Sequence, residues 1–454
     1  MLFTTKWITG LFTEFSGRAE EEVAIDEVTS DSRVKTENGL FVPIIGENFD
    51  GHDYVKQAID NGAVAIMWGK GKSLPAFISP DLPVFYVENT LTALQHLAAG
   101  YRDEINPIVV GITGSNGKTT TKDMVAALVK TTYRTHYTKG NFNNHIGLPL
   151  TILSMNRNTE MLVLEMGMSN FGEIDLLSRL AKPDYAIITN IGESHIEFLG
   201  SRRGIANAKL EITNGLKENG IIIIDGDEDL LMELHKQDNV ITCGYNPAND
   251  IAIEQVEIEL KQTRFKLSGD NVYTIPLLGR HHALNATYAI ALADKLAIIP
   301  DKRRRALESL EHTSMRFELQ KGINDVSIIN DAYNASPTSM KAAIEVVKQM
   351  EGFKQRILIL GDILELGEHS ESMHRSVAAK IEHPVTAVFT FGEAAAHIAS
   401  TVKKKNATIN SKHFTTRKEL AHELENHLNK DTLLMFKASR GLHFESFIKE
   451  IISS

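Results

Sequence analysis

Lys118, Thr119 and Thr120 follow directly on a short loop in which Gly114 and Gly117 bracket Ser115 and Asn116. Glycines let successive backbone N–H groups turn toward a polyphosphate, and a following helix adds the positive end of its dipole. Lys118 supplies a mobile cation, and the Thr119 hydroxyl can reach a magnesium ion. An apolar, β-branched run over 108–112 precedes the loop, and Met124, Val125, Leu128 and Val129 recur after it at helical spacing. The order is therefore strand, phosphate loop, helix. The spacing is Gly-x-x-Gly-Lys-Thr, because Ile112 stands where the usual motif has its first glycine. Taken alone, the same residues also suit a plain glycine turn ahead of a helix with an exposed lysine.

A phosphate loop specifies a nucleotide, not a reaction, so the chemistry must come from what faces it. Glu165 closes the apolar run 162–165, where a carboxylate fits a core poorly and a magnesium ion well. His195 is one of 17 histidines, and Lys209 lies in a helix-like stretch. By type alone these two read as an ordinary polar histidine and a solvated helix lysine. No Ser/His/Asp or Cys/His order stands out for covalent catalysis, and the single Cys243 follows an apolar run as a packing residue.

The elements that must position these groups are strands alternating with helices. With 454 residues, the chain divides into an N-terminal part over 1–100, a central part over 101–314 and a C-terminal part over 315–454. The first holds strand candidates at 40–45 and 63–68, with the polar turns Ser30-Asp31-Ser32-Arg33 and Asp50-Gly51-His52 flanking the first of them. In the central part, near-continuous apolar runs at 109–113, 162–165, 185–189 and 221–225 with helical crossovers predict a buried, mostly parallel sheet. Residues 250–275 alternate apolar and polar and predict an antiparallel appendage, with Leu260 among its apolar positions. The last part repeats the α/β alternation with runs at 326–329, 357–360, 387–390 and 433–436. Ligands of such sheets gather beyond the carboxyl ends of the strands. Glu165, Asn190 and His195 should therefore converge on the phosphate loop.

A net charge of −10 and a pI near 6.0 argue against a nucleic acid or an anionic membrane as the main partner. No apolar run approaches the length that spans a bilayer, and one cysteine builds neither a disulfide nor a zinc framework. That usage fits a reducing cytoplasm.

Four segments together resemble the ATP-dependent Mur ligase family: residues 113–120, Gly140-Asn141-Phe142-Asn143-Asn144-His145-Ile146-Gly147, Glu165 with His195, and Ala208-Lys209. Gly279-Arg280-His281-His282-Ala283-Leu284-Asn285 is similar to a further family segment, with His282 in place of the usual Asn. The resemblance covers the whole chain. It implies three α/β domains, with a central parallel sheet of the phosphate-loop ATPase type and a Rossmann-like C-terminal domain. It also implies a cytoplasmic ligase that phosphorylates a carboxylate with ATP and then lets an amine displace phosphate. Asp331-Ala332-Tyr333-Asn334-Ala335-Ser336-Pro337, residues 360–367 and Lys437-Ala438-Ser439-Arg440 resemble the member that adds D-alanyl-D-alanine to UDP-N-acetylmuramoyl-tripeptide.

The roles that follow are those of the resemblance. Gly114, Ser115, Asn116, Gly117, Lys118, Thr119, Thr120, Asn285, Arg316 and Asp331 bind ATP. Thr119, Glu165, His195 and Lys209, the last as a carbamate formed with carbon dioxide, hold two magnesium ions. Lys118, Lys209, His195 and Glu165 form the catalytic set. Ser30, Asp31, Ser32, Arg33, Asp50, Gly51 and His52 hold the UDP end of the substrate, with Asn143 and Asn144 also on the substrate. Tyr333, Asn334 and Ser336 face the dipeptide, Ser336 having a helix N-cap as its competing role. A monomer is expected, with neither nucleic acid nor membrane insertion. The alternatives are another ligase of the same pathway, a folyl-polyglutamate ligase, or a non-ligating ATP or sugar-nucleotide sensor.

Overall fold

The computed structural model describes residues 1–259, 261–269, 271–311 and 315–452, so Leu260 and Ser314 lie outside the described residues. Among the described residues, sheets of 5, 9 and 6 strands follow one another along the chain, with a two-stranded ribbon at its start. Among the described residues no helix is long and apolar enough to cross a membrane.

In the first sheet Glu27–Thr29, Gly39–Phe41, Ala63–Gly69 and Val84–Val87 run parallel. The strand expected over 40–45 stops at Phe41. Pro43 has no N–H to give to a ladder, and the chain turns instead into an isolated bridge between Ile45 and Asp50.

Ile108–Thr113 lies at the middle of the second sheet, between Met161–Glu165 on one side and Tyr185–Ile188 on the other, all parallel. Val109, Val110, Ile112, Leu162, Val163 and Ile187 are fully buried, which is why these runs read as continuous apolar stretches. The chain leaves Ile108–Thr113 for both flanks in turn, so the strand order reverses there and a crevice opens at the carboxyl ends. As expected for the alternating stretch, Ile251–Ile258, Thr263–Leu267 and Asn271–Ile275 form an antiparallel ladder, each strand antiparallel to the next. Ile251–Ile258 pairs in parallel with Val240–Gly244, which carries the buried Cys243, and so extends the central sheet. Ile253, Phe265 and Tyr273 share one core with Ala283, Ala286 and Ala289 of helix Arg280–Lys295, and this helix cover is what holds the extension in line.

In the third sheet Ser327–Asn330, Thr432–Lys437, Gln355–Gly361, Ala387–Phe391 and Asn410–Phe414 are parallel, with Glu318–Lys321 antiparallel at the edge. The loop after Gln355–Gly361 is pinned on three sides. Asp362 accepts from the backbone N–H groups of Glu393 (3.0 Å) and Ala395 (2.7 Å), and Ser439 Oγ accepts from Leu364 N (2.9 Å). His374 Nε2 accepts from Ile363 N (3.0 Å) while its Nδ1 donates to the Ser370 carbonyl (2.7 Å), which fixes the neutral tautomer.

Burial holds His374 below the usual histidine range. The unfolded chain therefore takes up the proton first, and this residue's stabilising contribution is lost as pH falls below about 6.5. The gap in urea-unfolding stability between the wild type and a His374→Asn variant should narrow between about pH 7.5 and about pH 5.5. A gap that stays constant over that interval contradicts the assignment.

Candidate active site

The phosphate loop is shaped by two glycines that nothing else could replace. Gly114 has φ +150° and a Cβ there would lie 1.8 Å from Thr189 Oγ1, while Gly117 has φ +81° and would meet Asn285 Oδ1 at 2.7 Å. Both positions need a residue without a Cβ. The end of the strand Tyr185–Ile188 holds the loop open. Thr189 Oγ1 and Asn190 Nδ2 donate to the Asn116 carbonyl (2.6 and 3.0 Å), and Asn190 Oδ1 accepts from Asn116 N (3.0 Å). Gly192 N donates to Ser115 Oγ (2.8 Å). Half-buried Lys118 opens the helix Lys118–Val129 and folds back to donate to the Gly114 carbonyl (2.8 Å). Burial pulls its ammonium below the usual lysine range, with Glu165 opposing the shift and Arg316 adding to it.

A cavity of about 430 Å³ lies over this loop. Of the residues singled out in the sequence, Ser115, Asn116, Gly117, Lys118, Thr119, Thr120, Asn143, Asn144, Glu165, His195, Asn285, Arg316, Asp331, Tyr333 and Asn334 line it. Glu165 is 3% exposed; its Oε1 accepts from Asn143 Nδ2 (2.8 Å) and its buried Oε2 has no hydrogen-bond partner among the described residues. Asn144 caps the next helix by accepting from Gly147 N (2.8 Å). Lys209, in the helix Arg202–Leu210, does not line the cavity, but it is 2% exposed and its amine has no hydrogen bond or ion pair among the described residues. Burial first, then the charge of Lys118, pull its amine well below the usual lysine range.

The C-terminal sheet supplies the opposite wall. Arg316 Nη2 donates to Thr119 Oγ1 (3.1 Å), its guanidinium lies 4.2 Å from the centre of the Tyr333 ring, and its buried Nε has no hydrogen-bond partner among the described residues. Met315 and Phe317 on either side have φ of +60° and +53°, a conformation costly for residues with a side chain. Asp331 accepts from Lys437 Nζ (2.6 Å) and from Phe317 N (3.2 Å). Ser336 is 1% exposed and serves as N-cap of the helix Pro337–Gln349, while its hydroxyl donates to Asn116 Oδ1 (3.0 Å). Its hydroxyl is thus engaged on both sides, unlike Tyr333 and Asn334, which face the cavity.

His195 has φ +64°, and its Nδ1 lies 2.5 Å from Glu365 Oε2, which also sits in the left-handed region at +60°. The two touch without the alignment of a hydrogen bond to Nδ1, yet the His195 ring holds the Glu365 carboxyl below the usual carboxylate range. Among the described residues no group of three or more His, Cys, Asp or Glu side chains gathers into a self-sufficient metal site.

The N-terminal candidates stand apart, and none of the seven lines the 430 Å³ cavity. Arg33 clasps Asp31 with two hydrogen bonds of 2.8 and 2.7 Å and holds its carboxyl down to about 2. Ser32 donates inward to Gln57 (2.8 Å), and Ser30 lies half-buried beside this turn. Buried His52 contacts Asp50 (2.7 Å), accepts from Gly69 N (3.2 Å) and sets its ring edge-on to Trp68; Gly51 is buried next to it.

The sequence assigns no role of their own to Lys437, Glu365, Glu193, Thr338 and His281, although Lys437, Glu365 and His281 lie in segments that carry the resemblance; all five stand in or beside the crevice. For Lys437 the signal was present: it ends an apolar strand, like Glu165. Burial lowers His281 to about 4.

The fold and this crevice define a phosphate-loop α/β protein in which a C-terminal domain brings a cation, Arg316, onto the loop of the central domain. Its sequence matches three family models: "Mur ligase family, catalytic domain" over 24–102, "Mur ligase middle domain" over 112–293 and "Mur ligase, glutamate ligase domain" over 315–440. The chain belongs to the Mur ligase family. It is 48% identical to the UDP-N-acetylmuramoyl-tripeptide–D-alanyl-D-alanine ligase of Bacillus subtilis, over 96% of this chain and 94% of that one. It is 34% identical to the ligase of that name from Haemophilus influenzae, over 94% of each. Among solved structures it is similar to MurF from Acinetobacter baumannii (TM-score 0.87, 27% identity, 100% and 99% of the two chains). It is also similar to MurF ligase from Thermotoga maritima in complex with ADP (TM-score 0.82, 29% identity, 95% and 98%).

Proposed function

We propose that this chain joins D-alanyl-D-alanine to UDP-N-acetylmuramoyl-tripeptide with ATP, releasing ADP and phosphate, as a step in making peptidoglycan precursors. One observation carries the reading: the phosphate loop, Glu165 and His195 of the central domain share a single crevice with Arg316, Asp331, Tyr333 and Lys437 of the C-terminal domain. A carboxylate oxygen of the tripeptide attacks the γ-phosphorus and ADP leaves. The dipeptide amine then attacks the acyl carbon, an amide bond forms and phosphate departs. Lys118, the loop N–H groups and Arg316 hold charge that builds on the β- and γ-phosphates. Closure of the C-terminal domain keeps water from the acyl phosphate.

Glu165 Oε2, a buried carboxylate oxygen with no partner among the described residues, suits a divalent cation, and the Thr119 hydroxyl, which accepts from Arg316 Nη2 in this structure, would be a second ligand once that contact gives way. Magnesium supplies the positive charge that lets a carboxylate and a triphosphate approach each other. A neutral amine is the form that adds to carbon dioxide, and the burial of Lys209 supports its role as a carbamate. His195 serves a second cation, Asn285 the adenine, Tyr333 and Asn334 the dipeptide, and the turns at 30–33 and 50–52 the UDP end. Domains over 1–100, 101–314 and 315–454, a monomeric state and a cytoplasmic setting complete the reading.

The test is ADP release with UDP-N-acetylmuramoyl-tripeptide and four acceptors: D-alanyl-D-alanine, D-alanine, L-lysine and diaminopimelate. Only the first should support turnover. Equal rates with lysine or diaminopimelate point to another ligase of the pathway, and ADP release that ignores the acceptor points to a non-ligating ATPase.

A further inference from the structure

We propose that Glu193 and Asn116 are positioning residues that grip the first turn of the helix Pro337–Gln349 and so register the acceptor-side loop 333–336 against the phosphate loop. Thr338 Oγ1 donates to both Glu193 oxygens (2.9 and 2.8 Å) and Thr338 N approaches Oε2 at 3.3 Å. Ser336 Oγ donates to Asn116 Oδ1 (3.0 Å). These contacts join residues 145 and 220 positions apart in the chain, and they exist only while the two domains touch.

Neither contact is needed to build the elements that make it. The helix Pro337–Gln349 has its own capping box: Ser336 Oγ accepts from Ser339 N and Ser339 Oγ accepts from Ser336 N. Its first turn is therefore ordered without Glu193. A carboxylate delivered there from the other domain meets the positive end of the helix, which favours docking in this orientation. On the other side, the Asn116 backbone is held by Thr189 and Asn190 within the central domain, whereas its buried Nδ2 has no hydrogen-bond partner among the described residues. The Ser336 hydroxyl is thus the group that orients the Asn116 side chain. Glu193 lies just ahead of Ser194 and His195, which line the crevice, so a shift of the grip is a shift of the site.

The inference rests on the ligase reading for its kinetic readout, and a distance measurement keeps the two separable. Cys243 is buried, so dyes can be placed on Gln237→Cys in the central domain and Lys404→Cys in the C-terminal domain, both exposed positions. Energy transfer is followed as a non-hydrolysable ATP analogue and tripeptide are added. Glu193→Ala and Thr338→Val should each raise the KM for dipeptide by about tenfold and leave a larger open fraction. The double variant should be no worse than either single one, nucleotide affinity and melting temperature should hold, and Glu193→Gln should recover part of the loss. Wild-type kinetics and closure in the single variants overturn the proposal, as do additive losses or a fall in melting temperature that tracks activity. A wild type that closes but forms no peptide with any acceptor defeats the ligase reading instead.

Discussion

Replacing Lys118 by Met lowers turnover by about a thousandfold while barely moving thermal stability. Lys118 Nζ makes one hydrogen bond, to a carbonyl of its own loop, so the fold loses little. Methionine keeps most of the stem and fills the same space. What disappears is the charge that meets the β- and γ-phosphates as negative charge shifts toward the leaving oxygen. Burial strengthens that charge's effect, because the crevice screens it less than bulk water would. Initial rates of ADP release and a melting curve check the prediction together. A variant within about tenfold of wild type would place phosphate stabilisation elsewhere.

Lys209→Ala is the second large effect. On the proposed carbamate, the variant loses turnover by at least about a hundredfold, while nucleotide affinity at the loop stays close to wild type. An ordinary core lysine would give another pattern. A lysine 2% exposed whose amine has no hydrogen-bond partner among the described residues costs stability to keep charged, so its loss would leave the fold equal or firmer and activity intact. Carbon dioxide separates the two accounts. Rates of the wild type should fall in buffer stripped of bicarbonate and recover when it is restored, and the variant should respond to neither. Unchanged turnover in Lys209→Ala rules the carbamate out.

What the sequence could reveal follows from what apolar periodicity and strand-end chemistry encode. The central strands were legible because buried parallel strands must be apolar throughout, and the residue just past each must be polar if it lines a crevice. The strands Thr135–Tyr137 and Asn410–Phe414 were not, because each is an edge strand with half-exposed or exposed side chains. The antiparallel strands within 250–275 were legible from their alternation, but alternation reveals a half-buried ladder and not which sheet it continues. At the site, Lys118, Glu165 and Asn285 carry local signatures. The contacts of His195 with Glu365 and of Glu193 with Thr338 do not, since each depends on how two domains meet. The left-handed backbone at Met315 and Phe317 leaves no trace in side-chain type either, yet it aims Arg316 at Thr119.

The measurement closest to the central claim uses tripeptide whose terminal carboxylate carries isotopically heavy oxygen. If triphosphate, acid and amine meet in the crevice in the order argued above, each turnover with D-alanyl-D-alanine must carry one heavy oxygen into the released phosphate. Phosphate free of label, with peptide formed at the normal rate, would contradict an acyl phosphate and the role of Lys118, Glu165 and Arg316 in forming it.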